Sequence, residues 1–474
     1  MLTALTRAPL AAALALALAG CTTVGSDFKA PDAPAAAGYR HQVVAADAAQ
    51  PPQQWWRVFN DATLDRLEQS ALRDNPSVRA AGQRLLQAEA QLGGVRASQS
   101  PTMSVNASVA NSRTSANTSQ GLALGKRSIS GNNYALGAAM SYELDLLGRV
   151  RRAVEAADAQ ALAAASERDG VLLMLSAQVA ASYWQLRGLD AEAAILDGAL
   201  GTRREAEQLV EARFNAGLTN ELDLSRARVE RANAQADLHE VRRQRNLIEH
   251  NLATLIGASP STPLIELSNA ALPAVPAIPA GLPASLLAQR PDLAGSVAAL
   301  RAANAQVGVA EGAFYPSLQL TSNFGFASER LRDLNQGGSK QFSIGPLALS
   351  LPVFEGGRNR ANLALAKARY EEALANHQGK LLTALREVED ALSDLEQRQQ
   401  QGAAQAEANR AAARAHLVAR ARYERGVSNY LDVTDAQRSS LAAERAAVQI
   451  QTQRLLATVA VARALGAGWQ AEAR

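Results

Sequence analysis

RFNAGLTNELDLSRA (213–227) and RYERGVSNYLDVTDA (422–436) are two copies of one pattern. Of fifteen positions, six are identical and five more are conservative exchanges. The offset, 422 − 213 = 209, also pairs Gly148-Arg149 with Gly357-Arg358 and Gly257 with Gly466. Upstream, AQLGGVRASQSPTMSV (90–105) matches AQVGVAEGAFYPSLQL (305–320) at 305 − 90 = 215. The chain is therefore an internal duplication. The change of offset, 215 − 209 = 6, predicts a loop of variable length between 105 and 148.

Gly217 and Gly426 each follow a basic–aromatic pair and sit where a left-handed helix stop is expected. Asn220 with Asp223, and Asn429 with Asp432, predict caps for a returning helix. Before these turns the apolar residues run in heptads: Leu172, Val179, Leu186, Ala193 and Leu200, interleaved with Leu175, Leu189 and Leu196. Ser182 is the polar exception, and Leu381, Leu385, Val388, Leu392 and Leu395 repeat the pattern in the second half. This is coiled-coil spacing. No proline falls between Val150 and Phe214, which allows a helix of ~100 Å at 1.5 Å per residue.

Each half reads helix, strand, loop, strand, long helix, tight turn, long helix. The first repeat is expected over 61–257, with strands 101–113 and 132–146 and a helical hairpin 148–257. A Pro-rich linker follows at 258–284, where ALPAVPAIPAGLP cannot be helix. The second repeat is expected over 285–466, with strands 316–328 and 340–354 and a hairpin 356–466, leaving a tail 467–474. The fold class is mainly α with a small β part.

The strands alternate. Leu318, Leu320, Phe324 and Phe326 share one face, and Gln319, Thr321 and Asn323 the other. Tyr134, Leu136, Met140, Tyr142, Leu144 and Leu146 lie opposite Gly137, Ser141, Glu143 and Asp145. Leu347, Leu349, Leu351 and Val353 line up, and Val105, Ala107 and Val109 alternate more weakly. Apolar outside and small or polar inside is the pattern of a water-filled membrane barrel. The pore-lining set is then Glu143, Asp145, Gln319, Thr321 and Asn323, and a larger side chain at Gly137 is expected to fit in the lumen. Four strands cannot close a barrel, and open edges in lipid leave backbone groups unsatisfied, so several chains must contribute to one barrel.

Composition narrows the class. Hydrophobic residues make up 47% of the 474 but aromatics only 4%, which suits closely packed helices rich in Ala. Lys and Arg number 48 against 45 Asp and Glu, without a basic block, so a nucleic-acid footprint is absent from the pattern. Five scattered His and one Cys provide no metal-ligand spacing. GLALGKRS (121–128) has three residues between its glycines where a phosphate loop has four, and reads as a loop. Glu143 and Asp145 read as a wet pore wall, not an acid–base pair. Trp55 and Trp56 read as packing anchors. No enzyme chemistry is legible.

The N-terminus reads as an address. Arg7 and the apolar run from Pro9 to Ala19 make residues 1–20 a signal peptide, too short to span a membrane. It ends Leu18-Ala19-Gly20-Cys21, which resembles the lipobox of bacterial lipoproteins and implies cleavage before Cys21 and acylation there. Thr22 after it favours export to the outer membrane in this resemblance. Residues 21–60 would form a lipid-anchored extended segment.

CTTVGSDFKAP (21–31), WWRVFNDATLDRL (55–67), YELDLLGRVRRAVEA (142–156), QRPDLAGSVAALRAANAQVGVAEGAFYPSL (289–318) and GVSNYLDVTDAQRS (426–439) together resemble the outer membrane factor family. These are the TolC-like efflux channels, and the match is to their NodT-type lipoprotein branch. Ser26, where the branch usually has Pro, is a departure. The resemblance implies a homotrimer whose twelve strands, four per chain, form one barrel in the outer membrane, continued by helical hairpins as an α-barrel across the periplasm. It implies a periplasmic adaptor and an inner-membrane pump of the resistance-nodulation-division type, with export of drugs or other small toxic molecules. No cofactor is implied beyond lipid on Cys21. The alternatives are a protein-secretion duct of the same fold and a pore-less periplasmic scaffold.

Function should concentrate at the turns. Asp432 and Asp435 are three apart and share a helix face. By resemblance the closing apolar and acidic rings fall on Leu431 and Asp435, while Asp432 is either a cap or a ring member. The tips around Arg213, Gly217, Asn220, Asp223, Arg422, Gly426 and Asn429 are where an adaptor would dock.

Overall fold

The computed structural model describes residues 23–31, 38–41, 54–123, 125, 127–268, 270–276 and 290–467. The signal segment, Cys21, the end of the linker and nearly all of the tail lie outside the described residues. In chain order the elements are α1 (Ala62–Asp74), α2 (Pro76–Ala97), β1 (Thr102–Arg113), the short α3 (Ser119–Ala123), β2 (Ser130–Leu144), α4 (Arg149–Asn215) and α5 (Glu221–Leu255). The second half supplies α6 (Pro291–Gly312), β3 (Ser317–Ser328), β4 (Lys340–Ser350), α7 (Arg358–Glu424) and α8 (Tyr430–Ala464).

The duplication is reproduced to the residue. Helices α4 and α7 have 67 residues each, and α5 and α8 have 35 each. Their starts differ by 358 − 149 = 209 and 430 − 221 = 209. Upstream, α6 and β3 lie 291 − 76 = 215 and 317 − 102 = 215 residues after α2 and β1. The loops between paired strands, 114–129 and 329–339, absorb most of the expected length difference.

By packing, the described residues within 23–30, 86–163 and 296–376 form one compact unit and those within 31–85, 164–276, 290–295 and 377–467 another. The first unit holds an antiparallel sheet in the order β1-β2-β3-β4. Strands β2 and β4 stop earlier than the alternation suggested, so Asp145, Leu146, Leu351 and Val353 lie beyond them. The reason at β2 is a helix cap. The Asp145 carboxylate accepts the backbone N–H groups of Val150 (3.0 Å) and Arg151 (2.8 Å), and Gly148 turns the chain at φ +79°. An acceptor there satisfies donors that the first turn of α4 leaves free.

The second unit has the larger core. Trp55, Trp56 and Phe59 are buried against Tyr183 and Trp184 of α4, with edge-on ring contacts between neighbours. Both tryptophans are packing anchors, as their sequence context suggested. The heptad positions Val179, Leu186, Ala193, Leu196 and Leu200 are buried. Ser182, the polar exception, is buried too, and accepts a hydrogen bond from Asn251 at 3.2 Å. The described linker residues form no helix or strand. They are fastened by α5, where Glu249 accepts from the Leu264 and Ile265 N–H groups and Arg245 donates to the Ile265 carbonyl.

Candidate functional site

The strand register sorts the sheet into two faces. Leu144↔Leu318, Tyr142↔Leu320 and Leu136↔Phe326 pair across β2 and β3, and Met103↔Met140 and Val105↔Ala138 across β1 and β2. Cross-strand partners lie on the same face, so these side chains form one apolar surface. It is exposed: Val105 is 72% accessible and Ile344 81%. The opposite face carries Glu143↔Gln319, Ser141↔Thr321 and Ala139↔Asn323. Four of the five residues read as lumenal are thus brought to one polar face. The fifth, Asp145, is not: it is the cap of α4.

The β4 pattern hides a frame shift that the sequence did not disclose. Leu320 pairs with Leu347, but Ser322 pairs with Ile344. Gly345 (φ +102°) and Pro346 bulge against one residue of β3. A bulge changes the parity of alternation, so Phe342 and Ile344 join the face of Leu347 and Leu349. Gly137 also departs from expectation. It pairs with Gly325, and a Cβ on Gly325 would lie 2.3 Å from the Leu136 carbonyl oxygen and 2.5 Å from the Gly137 Cα. At Gly137 itself a Cβ would meet the Phe324 carbonyl oxygen at 3.0 Å. A side chain at Gly325 is excluded, and one at Gly137 is crowded by the Phe324 carbonyl.

The two tips form in the second unit by the same local chemistry. Gly217 (φ +71°) and Gly426 (φ +75°) take the left-handed stop. Leu218 N–H donates to the Arg213 carbonyl (2.8 Å) and Val427 N–H to the Arg422 carbonyl (3.0 Å). This is the six-residue closure of a helix C-terminus. Asn220 then accepts from the Asp223 N–H and Asn429 from the Asp432 N–H, each at 3.0 Å. The cap is therefore Asn429, and Asp432 stands in the first turn as an exposed acid. Asp223 is held differently, accepting from Thr219 Oγ1 at 2.8 Å. Leu431 remains 38% accessible. Asp435 is exposed, 3.9 Å from Arg438.

Contacts between the repeats were invisible in sequence. Arg213 lies 4.8 Å above the Tyr423 ring, which packs on Tyr430. Burial pushes the Tyr430 hydroxyl above its ordinary pKa. Glu230 is buried between Arg203 (3.2 Å) and Arg438, whose guanidinium makes two contacts to one carboxylate oxygen. Arg445 reaches Glu192 (2.8 Å) and Asp237 (3.3 Å). Arg438 could have been suspected from its place three residues after Asp435. Glu230 gave no signal, since its partner is 208 residues away. Among the described residues no cluster of His, Cys, Asp or Glu is placed to hold a metal ion, and no helix is long and apolar enough to cross a membrane.

The chain matches the family model described as outer membrane efflux protein over residues 67–258 and 282–467, one segment per repeat. It is 36% identical over 460 residues to outer membrane protein OprJ of Pseudomonas aeruginosa, covering 96% of this chain and 95% of the relative. Antibiotic efflux pump outer membrane protein ArpC of Pseudomonas putida is 31% identical over 463 residues, covering 97% and 95%. The solved outer-membrane channel OprN superposes with a TM-score of 0.88 at 32% identity, over 94% of this chain and 99% of that one. With the strand faces, hairpins and tips described above, the chain belongs to the outer membrane efflux protein family and is an outer-membrane efflux channel.

Proposed function

We propose that three copies assemble into one duct, closing a twelve-stranded barrel in the outer membrane and a helical barrel in the periplasm. The observation that carries this is the sheet: four strands, open edges at β1 and β4, and a continuous exposed apolar face. In hydrocarbon every backbone N–H and C=O must be paired, so an open four-stranded sheet needs neighbours on both edges. The face of Glu143, Gln319, Thr321 and Asn323 then lines water, with Glu143 paired to Arg149 at 2.7 Å.

In this assembly the tips face the periplasm. Leu431 supplies an apolar ring and Asp435 an acidic one, with Asp432 beside them. The turns around Gly217 and Gly426 receive a periplasmic adaptor that joins the duct to an inner-membrane pump of the resistance-nodulation-division type. The relative ArpC, an antibiotic efflux pump protein by name, supports drugs or other small toxic molecules as cargo. Cys21 carries the lipid anchor. Native mass spectrometry and planar-bilayer recording test the assembly. A conducting trimer is expected. A monomer without conductance would overturn the reading in favour of a pore-less scaffold.

A further inference from the structure

The apolar face of the sheet is not uniform from end to end. At the helix end it stays apolar to its last paired residues, Leu144, Leu318 and Leu349. At the loop end it changes. Asn111 pairs with Asn132 and donates to its side-chain oxygen at 2.7 Å, and Ser328 pairs with Tyr134. Arg113 is the last residue of β1 and Lys340 the first of β4. Both fall on the apolar face: Arg113 is in step with Val105 and Val109, and Lys340 pairs with Phe326. They are the only charged side chains that the register places on this face. Both are basic and both are exposed.

Neither forms an ion pair with a carboxylate among the described residues. Arg113 spends Nε and one terminal nitrogen on the Ser128 hydroxyl, at 3.3 and 3.1 Å, and leaves the rest of its fork unclaimed. The nearby acids are turned elsewhere. Asp333 lies 3.7 Å from Arg332, and Glu329 stands over Gly131, where a Cβ would meet its Oε1 at 3.1 Å. The loops at this end, 114–129 and 329–339, carry Lys126, Arg127, Arg330 and Arg332 against those two acids. The loop rim of the sheet is thus basic. A long cationic side chain at the edge of an apolar band lays its stem on the band and its head among the lipid headgroups.

We propose that Arg113 and Lys340 form a binding site for the phosphate groups of lipid in the outer leaflet. This rests on the barrel reading, in which the apolar face meets hydrocarbon and the loop end faces the cell exterior. Closing that barrel sets β4 of one protomer beside β1 of the next. Lys340 then stands on the strand adjoining the one that carries Arg113 of the neighbour. Each seam between protomers offers one arginine and one lysine, and the site is incomplete in a single chain. The planar fork of Arg grips phosphate oxygens and Lys adds a point charge. The helix end of the same face, without a cation, is left to apolar contact alone.

Native mass spectrometry of the detergent-extracted trimer tests the site, with diphosphorylated lipid A and its phosphate-free counterpart as added probes. The parent is expected to retain the phosphorylated form and to bind the phosphate-free form about tenfold more weakly or worse. Arg113→Gln and Lys340→Gln should each weaken retention about fivefold, and together by more than about tenfold. The charge-keeping pair Arg113→Lys and Lys340→Arg should stay near the parent, as should Lys367→Gln, which removes an exposed lysine on α7. Equal binding of the two lipids by the parent would overturn the site, and that comparison decides the matter even if the double Gln variant fails to assemble. Parent-level binding by an assembled double Gln variant would overturn it too, as would an equal loss in Lys367→Gln. The oligomer is read in the same spectrum, so a monomeric parent would instead overturn the barrel reading beneath it.

Discussion

At the residue scale the most unusual group is Glu68 on α1. It is fully buried, with the Ser176 hydroxyl as the polar group beside it and no well-formed hydrogen bond to either carboxylate oxygen. Burial pushes its carboxyl well above the usual range, with nearby Asp65 adding to the rise and Ser176 opposing it. A carboxyl with a raised pKa in the fold binds its proton more tightly folded than unfolded. Its contribution is full below the unfolded value of about 4.3 and is lost as pH rises through the folded value. The melting temperature of the parent should therefore fall over that window, and Glu68→Gln should flatten the fall. Parallel curves for the two proteins would show that Glu68 does not set it. Burial of Glu68 was not legible in ATLDRLEQSALRD, because a Glu between Leu64 and Ala71 on a helix face looks like any edge residue. The capping role of Asp145 is hidden in the sequence for a related reason. Strand alternation continues smoothly past Leu144, and only the start of α4 shows that the carboxylate faces a helix terminus instead of the polar sheet face.

At the scale of elements, the turns and the strands make separate predictions. Each tip helix is started by one Asn oxygen, so Asn429→Ala should cost about 1 kcal/mol of local helix stability. Amide exchange in the first turn of α8 should rise, while the matching turn of α5, capped by Asn220, stays as in the parent. In the sheet, Leu320→Arg puts a charge on the apolar face and should cost ~2–4 kcal/mol if that face meets the bilayer midplane. Gly325→Val should also block assembly, for a different reason: its Cβ would collide with the backbone of β2 at 2.3 Å. Thr321→Val, on the polar face without that crowding, should assemble. Folding yield into membranes separates Thr321→Val from the other two. Equal defects in Leu320→Arg and Thr321→Val would contradict the assignment of faces. The tips were legible because glycine and asparagine act within six residues. The crowded Gly137–Gly325 pair was not, since two strands far apart in sequence create it.

For the whole molecule the expected behaviour is a gate. A duct open to the periplasm at rest would leak, and a partner can open it only through its differential affinity for the open form. In the proposed duct, closure at the tip is therefore expected to be modest. Leu431→Ala should raise the conductance of the isolated trimer in a planar bilayer. Asp435→Asn should weaken cation preference, because a ring of carboxylates attracts cations and repels anions at a constriction. Asp223→Asn should do less, since that carboxylate is already engaged by Thr219. Wild-type conductance and selectivity in both Leu431→Ala and Asp435→Asn would place the constriction elsewhere.

The amino-acid sequence by itself determined the duplication, the helical hairpins, the left-handed stops at Gly217 and Gly426 and the polar and apolar faces of β2 and β3. All of these are set by periods of 3.5 or 2 residues or by chemistry within a single turn, and such order is written along the chain. Tertiary structure alone decided where β2 gave way to α4, how the bulge at Gly345-Pro346 restored the apolar face of β4, that Glu230 sits between Arg203 and Arg438, and that Arg152 holds the Val24 and Gly25 carbonyls. Each of these joins residues brought together by pairing, packing or a helix terminus. Their energies depend on distances that no local period encodes. GSDFKAP, GRVRRAVEA and QVGVAEG are recognisable as motifs in the chain, but why Gly25, Gly148 and Gly308 stand in them is physical only in the fold, where a Cβ on Gly25 would meet the Gly308 Cα and a Cβ on Gly148 the Thr23 side chain.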